Sequence, residues 1–497
     1  MNMEENEKVT KRNLIMFPIG TVGRDMVYSL VTNYLLTYIL FTRELTAAQL
    51  GAITAIMVGA RIFDALNDPI MGNIIESTHT RWGKFKPWLT IGILTTSLVV
   101  VTVFNTKLTG WKFIWLFAGF YFLYSITYTM HDISFWGMIP ALSSDPNRRN
   151  QFTSRATLFA GVGGTLASVL IPTFTTGKFT LGANSATAYG NIAIVICILA
   201  PLFLAFTIFG ARERRDQTAP KGSKVSFKKI VKTIFGNDQL VWIAVIFLLQ
   251  QIGNGLVLGG IGSTYIYFKF GYSGGLYSIF NTVGMMATAF LMLFYPAISR
   301  HITRKKLMSY MMVISAVGYV IMLAAGIFGN GSMIQFWALT LGYMAANFGQ
   351  YSFYLVMMIS IINTVEYNEY KFGTRDEAII TSLRPFLTKL ASALTVVMTT
   401  VTYLICHVTK YTNEISALER QTQAGTLAEA DKLSQIGEVL SKVSYGQSIG
   451  LLLAMTVLPC LLMLASYILY QKHYKLDEDV YKDICEKIEA RKKEAAK

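Results

Sequence analysis

Long stretches without a single charged residue dominate this sequence and limit it to folds that a membrane can hold. A helix needs about 20 apolar residues to cross the hydrocarbon core of a bilayer. Each charge-free stretch is long enough for at least one crossing. These stretches are 87–106, 113–131, 156–177, 179–211, 239–268, 270–299, 307–365 and 443–471.

The number of crossings follows from the same pattern. The 307–365 stretch is too long for one crossing, and the turn residues GNGS at 329–332 divide it. Three further segments, 16–40, 50–76 and 378–406, contain charges but are otherwise apolar. The total is twelve, which predicts an all-α polytopic membrane protein. Only 15% of the residues are charged, against about 25% in soluble domains, which argues against a soluble enzyme or a disordered scaffold.

Basic residues are distributed unevenly between the two sets of loops. Loops that follow even-numbered spans hold several times more Lys and Arg than those that follow odd-numbered spans. Since basic loops stay in the cytoplasm, we expect both termini there. The formal net charge of +15 is then a topology signal, and we expect no nucleic-acid partner. The four cysteines show no metal-ligand spacing and imply neither disulfides nor zinc.

The basic loop in the middle of the chain divides it into two six-helix halves. We predict a cytoplasmic N-tail at 1–15, an N-terminal half at 16–211, a central loop at 212–238, a C-terminal half at 239–471 and a cytoplasmic C-tail at 472–497. The polar segment 408–442 interrupts the last half on the exoplasmic side and has the pattern of an amphipathic helix. It either caps the outer face or is a solvated insertion.

The second predicted span carries an unusual set of charges for a membrane interior. Asp64 and Asp68 are one turn apart, and Asn67 shares their face. Two carboxylates this close repel each other unless a cation or a proton joins them, and Na⁺ prefers such hard oxygen ligands. Alternatively, Arg61 simply neutralises Asp64 in a buried ion pair, which leaves Asp68 without an explanation.

The fourth predicted span places a carboxylate and an aromatic plate on one face. Tyr128, Asp132 and Trp136 follow one another at i, i+4 spacing, and Thr129 lies one turn before Asp132. A pyranose needs hydrogen-bonding groups for its hydroxyls and an apolar surface for its C–H face, so this pattern favours a sugar site. Trp136 taken alone is equally typical of a membrane interface or a packed core.

Charged and aromatic residues elsewhere in the spans are more ambiguous. Arg24 and Asp25 in the first span are either a packing ion pair or sugar ligands, and both interpretations imply a polar cavity. Tyr354 and the pair Arg384 and Lys389 form a weaker set in the C-terminal half, where Tyr354 is equally compatible with an ordinary core position.

Three motifs resemble one known family. ARIFDALNDPIMGNIIESTHTRWGKFKPW, YTMHDISFWGMIP and NTVEYNEYKFGTRDEAI are similar to segments of the glycoside–pentoside–hexuronide:cation symporters. The resemblance implies a major-facilitator fold. It places a cation site, as coupling-metal ligands for Na⁺, at Asp64 and Asp68 with Asn67 and Thr129. It places sugar-binding residues at Arg24, Asp25, Tyr128, Asp132, Trp136 and Arg155, and it matches Lys389 to a lysine of helix 11. The chain departs from the family pattern at Tyr354, where a well-known member has tryptophan, and at Arg384 and Pro385.

These observations together predict a sugar:cation symporter that works by alternating access. We expect a bacterial inner-membrane location, a glycoside or oligosaccharide substrate, no cofactor and a monomeric state. The expected coupling ion is Na⁺ or H⁺, and Li⁺ is compatible with the same acids. The alternatives are an uncoupled sugar facilitator or exporter, and a membrane-embedded glycoside enzyme or sensor. An enzyme is disfavoured because Asp64 and Asp68 share one helix beside an arginine.

Overall fold

The computed structural model describes residues 3–143, 145–213 and 227–495, and these residues form α-helices and no β-strand. Short π-helical turns at Leu30–Tyr34, Phe206–Gly210 and Val257–Ile261 join neighbouring helices into longer spans. In chain order the helices are α1 (Met3–Ser29), α2 (Leu35–Thr42), α3 (Ala47–Ser77), α4 (Lys86–Asn105), α5 (Gly110–Leu142), α6 (Pro146–Thr175), α7 (Ser185–Ala205), α8 (Phe227–Gly236), α9 (Asp238–Leu256), α10 (Gly262–Phe270), α11 (Gly274–His301), α12 (Arg304–Phe328), α13 (Met333–Phe372), α14 (Glu377–Ile405), α15 (Val408–Gln423), α16 (Glu429–Ser441), α17 (Tyr445–His473) and α18 (Glu478–Ala495).

Twelve of these helical segments account for the predicted spans. Eleven are long and apolar enough to cross a membrane within the described part of the chain. α11 is the twelfth, since it has 28 residues and its sequence over 274–299 contains no charged residue. The GNGS turn divides α12 from α13 as expected, because α12 ends at Phe328 and α13 begins at Met333. The prediction of an all-α polytopic membrane protein is confirmed.

The chain folds into two compact units. The first contains Met1–Pro220, Ile266–Ile279 and Tyr403–Gln447, and the second contains Lys221–Tyr265, Phe280–Thr402 and Ser448–Lys497. The helical hairpin of α15 and α16 therefore belongs to the first unit, although in sequence it lies between two spans of the C-terminal half. We describe each unit by itself.

Small residues let α1 pack closely against its neighbours in the first unit. A Cβ atom on Gly23 would overlap the backbone of Ala200 in α7, and one on Gly163 in α6 would overlap the carbonyl oxygen of Val22. Close backbone approach at small residues is a general way for membrane helices to associate, because lipid provides no hydrophobic drive between them. These contacts lie at the two residues before Arg24 and bring its backbone close to α6 and α7.

The α15–α16 hairpin is packed onto the first unit through a buried ion pair. Lys432 Nζ lies 3.4 Å from Glu419 Oε2, and the two side chains are only 1% and 2% exposed. The Glu419 carboxylate also accepts hydrogen bonds from the Ser185 amide and hydroxyl, each at 2.9 Å, at the N-terminus of α7. A carboxylate at a helix N-terminus is favoured by the unpaired N–H groups there. The ion pair thus joins both hairpin helices to α7.

A second contact fixes the hairpin beside the end of α2. The Asn413 side chain accepts a hydrogen bond from the Leu45 amide at 2.9 Å and donates one to the Leu45 carbonyl at 3.0 Å. Arg420 pairs with Glu44 next to it. Segment 408–442 is therefore packed against α7 and the end of α2 and is not a solvated insertion.

Removing one charge of the buried pair should loosen the hairpin. We expect Lys432→Met to lower the stability of the first unit by about 3 kcal/mol, because Glu419 is left buried without its cation. Adding Glu419→Gln to Lys432→Met should recover part of the loss, since no unpaired charge remains. Melting temperature in detergent and protease sensitivity of the hairpin measure the effect. Lys442→Met, at an exposed position, is the matched control. Equal melting temperatures for Lys432→Met and Lys442→Met would contradict this account.

The second unit has its own apolar core. Phe247, Phe353 and Met357 are fully buried in it. The C-terminal helix α18 is attached at its start, where Glu478 accepts hydrogen bonds from the amide and side chain of Arg304 at 2.8 and 2.9 Å. In the connection before α14, a hydrogen bond from Lys229 holds the pKa of Asp376 below its usual value.

Candidate functional site

Two helices of the first unit, α3 and α5, pair acids with hydroxyls across their contact. The Ser125 hydroxyl donates to Asp64 Oδ1, and the Thr129 hydroxyl donates to Asp68 Oδ1 at 3.3 Å. Both pairs are separated by 61 residues, so the two helices run in the same direction and stay in register over one turn. We call these four residues the α3–α5 ladder.

Arg61 brings a positive charge to the ladder. Its Nη1 lies 3.7 Å from Asp64 Oδ2, and the two side chains are 14% and 7% exposed. The buried ion pair of Arg61 and Asp64 that the sequence offered as an alternative is therefore present beside the two acids.

Two polar groups next to the ladder have no hydrogen-bond partner. The Asn67 amide nitrogen and the Tyr124 hydroxyl are both buried atoms without one. Asn67 lies between the two acids on α3, and Tyr124 precedes Ser125 on α5 and is 5% exposed. Because buried polar groups in native structures are nearly always satisfied, such groups commonly mark the place of a water molecule or an ion.

A second cluster is centred on Arg24, which connects α1 to α5. Its guanidinium donates to Asp25 Oδ2 at 2.8 and 3.1 Å and to Asp132 Oδ1 at 2.9 Å. Arg24 is 4% exposed, whereas the Asp25 and Asp132 side chains are 19% and 36% exposed. The arginine is thus the buried part of the cluster, and the two carboxylates reach its accessible edge.

Aromatic side chains enclose the Arg24 cluster. The Arg24 guanidinium lies over the rings of Phe135 and Trp136, at 5.0 and 5.1 Å from their centroids, a geometry that favours a cation. Phe135 is buried, but Trp136 is only partly so. Tyr128 packs between Tyr28 and the buried His131. Accessible carboxylates beside a partly exposed indole offer both hydrogen-bond acceptors and an apolar plate.

The ladder and the Arg24 cluster are adjacent because α5 contributes to both. Thr129 of the ladder and Asp132 of the cluster are three residues apart, which is a rise of about 4.5 Å along a helix. Any group that fixes the position of Thr129 therefore acts within one turn of the carboxylate that Arg24 holds.

Three predicted site residues lie on other helices, namely α6, α13 and α14. Arg155 is exposed, and its guanidinium donates to the Leu14 carbonyl at 3.1 Å, roughly 16 Å along α1 from Asp25. Tyr354 is partly buried in the second unit, with its ring centroid 5.9 Å from that of Phe247. Lys389 is also partly buried in that unit, on α14. Their roles in binding remain predictions.

Ser125 is the residue of the ladder that the sequence reasoning missed. A signal for it exists, because Ser125 precedes Thr129 by the same four residues by which Asp64 precedes Asp68. Two i, i+4 pairs on different spans allow parallel neighbouring helices to make two side-chain contacts one turn apart. The pattern has meaning only once α3 and α5 are known to be neighbours.

The comparison with known families agrees with this geometry. The family model described as "MFS/sugar transport protein" matches residues 16–478. The chain belongs to this family. Its membership confirms the predicted major-facilitator fold and the resemblance to a family of sugar transporters, and it makes the protein a multi-pass membrane protein.

Curated members of the MFS/sugar transport family resemble the chain over much of its length. A lactose permease of Leuconostoc lactis is 30% identical over 76% of this chain and 60% of its own length. A raffinose carrier protein of Pediococcus pentosaceus is 27% identical over 98% of this chain and 73% of its own length. The chain thus spans about three-fifths of the lactose permease it matches.

A solved structure supports the fold independently of sequence. The crystal structure of a D-xylose-proton symporter aligns with a TM-score of 0.57 at 12% identity, covering 83% of this chain and 97% of that one. At this identity the likeness establishes the fold alone.

Proposed function

We propose that this family member is a cation-coupled sugar symporter of the bacterial inner membrane. The observation that carries the proposal is the adjacency of the α3–α5 ladder to the Arg24 cluster through α5. One site suits a small cation, the other suits a sugar, and the two share a helix. The similarity to a lactose permease and a raffinose carrier protein supports an oligosaccharide or glycoside substrate.

The proposed cation site is formed by three ladder residues and by Asn67 beside them. Asp64, Asn67, Asp68 and Thr129 supply carboxylate, amide and hydroxyl oxygens, which are the hard ligands that Na⁺ and Li⁺ take. Arg61 pairs with Asp64, and the two carboxylates together attract a cation to this site. Carboxylates inside a membrane-spanning segment are costly, so a bound cation or proton stabilises them. H⁺ is the other coupling ion that these acids can serve.

The Arg24 cluster is the proposed sugar site. Asp25 and Asp132 accept hydrogen bonds from sugar hydroxyls, and Arg24 holds both carboxylates in a fixed orientation. Trp136 offers the partly exposed plate against which a C–H face packs, with Tyr128 beside it. Arg155, Tyr354 and Lys389 remain proposed contributors from the resemblance.

Coupling then follows from the shared helix. A cation on the ladder draws the Thr129 hydroxyl and α5 toward α3, which orders Asp132 for the sugar. By linkage, the sugar raises the affinity for the cation by the same factor. The positive-inside bias favours cytoplasmic termini, so uptake would proceed by alternating access around this site.

Uptake into proteoliposomes tests the proposal. A tenfold inward Na⁺ gradient at 1:1 coupling provides about 1.4 kcal/mol and so can raise internal sugar about tenfold above external sugar. We expect such accumulation from a glycoside panel that includes radiolabelled lactose and raffinose, with choline as the control for Na⁺ and with an imposed H⁺ gradient as the second arm.

Two outcomes would contradict the proposal. Equilibration of a sugar without accumulation under either gradient would identify an uncoupled facilitator. Recovery of chemically altered glycoside would identify an enzyme.

A further inference from the structure

The Ser125 hydroxyl gives Asp64 a partner from α5, as the Thr129 hydroxyl does for Asp68. Thr129 faces Asp68 from α5, and Ser125 faces Asp64 from the same helix one turn earlier. Ser125 is 5% exposed, so its hydroxyl has no access to bulk water and serves the ladder.

We propose that Ser125 is a cation ligand that, with Thr129, sets the affinity of the site for Na⁺ and Li⁺. This inference rests on the proposed function and names a residue that neither the motif resemblance nor the charge pattern includes. A hydroxyl has one proton to donate and two lone pairs. Ser125 donates its proton to Asp64, which leaves its lone pairs for a cation bound between the Ser125–Asp64 pair and the Thr129–Asp68 pair.

Charge and partners make this position different from an ordinary buried serine. Asp64 is held on one oxygen by Ser125 and faces Arg61 on the other. Arg61 on α3 and Tyr121 and Tyr124 on α5 interact electrostatically with Asp64, and Tyr28 on α1 interacts with Arg61. The oxygen set offered to a metal ion here is therefore that of the ladder itself.

The unsatisfied groups beside Ser125 point independently to a ligand. The Tyr124 hydroxyl is nine-tenths buried or more and lacks a partner, and the Asn67 amide nitrogen lacks one as well. In a membrane interior, where water cannot substitute, such groups are costly. A bound cation with an accompanying water would give them partners at the level of the ladder.

The same helix offers a matched control. Ser134 lies nine residues after Ser125 on α5, is 0% exposed, and its hydroxyl has no hydrogen-bond partner. Ser134→Ala therefore removes a buried serine hydroxyl from α5 without touching the ladder. Ser125→Thr keeps a hydroxyl at the site, and Ser125→Cys keeps the volume of serine but replaces oxygen with the softer sulfur, which Na⁺ disfavours.

The test measures the cation response of the purified protein without any sugar. Melting temperature is followed against NaCl and LiCl, with choline chloride keeping the ionic strength constant, and ²²Na⁺ binding is measured in parallel. We expect Ser125→Ala and Ser125→Cys to raise the half-saturating Na⁺ concentration about tenfold or more, the range seen when groups supporting a metal site are removed. Ser125→Thr and Ser134→Ala should stay near the wild-type value.

The outcomes separate this inference from the proposed function. Wild-type Na⁺ affinity in both Ser125→Ala and Ser125→Cys, together with a lost response in Asp68→Asn, would overturn the role of Ser125 and leave the cation site standing. An unchanged response in Asp68→Asn as well would overturn the cation site itself. If Ser125→Ala does not fold, the isosteric Ser125→Cys decides the question by the same measurement.

Discussion

Asp68→Asn is expected to weaken the binding of Na⁺ to the protein strongly while leaving its fold intact. Asp68 is the second acid of the ladder, and its carboxylate accepts a hydrogen bond from the Thr129 hydroxyl at 3.3 Å. Replacing the carboxylate with an amide removes one of the two negative charges that attract a cation to the ladder. We expect the half-saturating Na⁺ concentration to rise about a hundredfold, as for the loss of a charge-assisted contact of 2–3 kcal/mol.

The measurement is Na⁺-dependent melting of purified protein, with choline chloride as the reference. The baseline melting temperature in choline should change little, because the amide still accepts the Thr129 hydrogen bond. Asp431→Asn is the matched control, since Asp431 is an exposed residue on α16. A wild-type Na⁺ midpoint in Asp68→Asn would remove this acid from the cation site.

Arg24→Gln should distinguish the role of the Arg24 cluster from that of the α3–α5 ladder, because it damages the proposed sugar site and leaves the ladder unchanged. Without the guanidinium, Asp25 and Asp132 lose the cation that joins them at 2.8 and 2.9 Å. Removing one partner of a buried ion pair typically costs 3–5 kcal/mol, and the partial exposure of Asp132 reduces this to about 2–3 kcal/mol. We expect a lower melting temperature and loss of sugar binding.

The cation response provides the discriminating measurement for Arg24→Gln. Because Arg24 contacts no ladder residue in the described hydrogen bonds and ion pairs, the Na⁺ midpoint should stay within about threefold of wild type. Sugar binding by Arg24→Lys should fall between that of wild type and that of Arg24→Gln, since an ammonium cannot hold two carboxylates in the fixed geometry of a guanidinium. Undiminished sugar binding in Arg24→Gln would show that the cluster is only a packing ion pair.

The fold followed from the sequence because its signals are local. Charge-free stretches and turn residues depend only on neighbours along the chain, and they placed the division between α12 and α13 at GNGS. The pairing of Asp64 with Asp68, and of Asp132 with Trp136, was also readable, because i, i+4 spacing needs nothing beyond one helix.

Contacts between helices could not be predicted from spacing along the chain in this way. That Arg24 holds Asp25 and Asp132 together depends on close packing of α1, through Gly23 and Gly163. The role of Ser125 depends on its contact with Asp64 of α3, which is 61 residues away in the sequence.

The α15–α16 hairpin shows the same limit. Its amphipathic pattern predicted a helix, but its attachment to Ser185 and Leu45 joins segments more than 200 residues apart. No spacing rule along the chain specifies such a contact, because the buried Glu419 and Lys432 read from sequence as ordinary surface charges.

The most direct measurement of the central claim compares sugar accumulation by wild type and Asp68→Asn in proteoliposomes under an inward Na⁺ gradient. The account predicts that the wild type concentrates the transported sugar above its external level. It predicts that Asp68→Asn, reconstituted in equal amount, brings the sugar to equilibrium and no further. Accumulation by both proteins to the same level would contradict a coupling cation on the α3–α5 ladder.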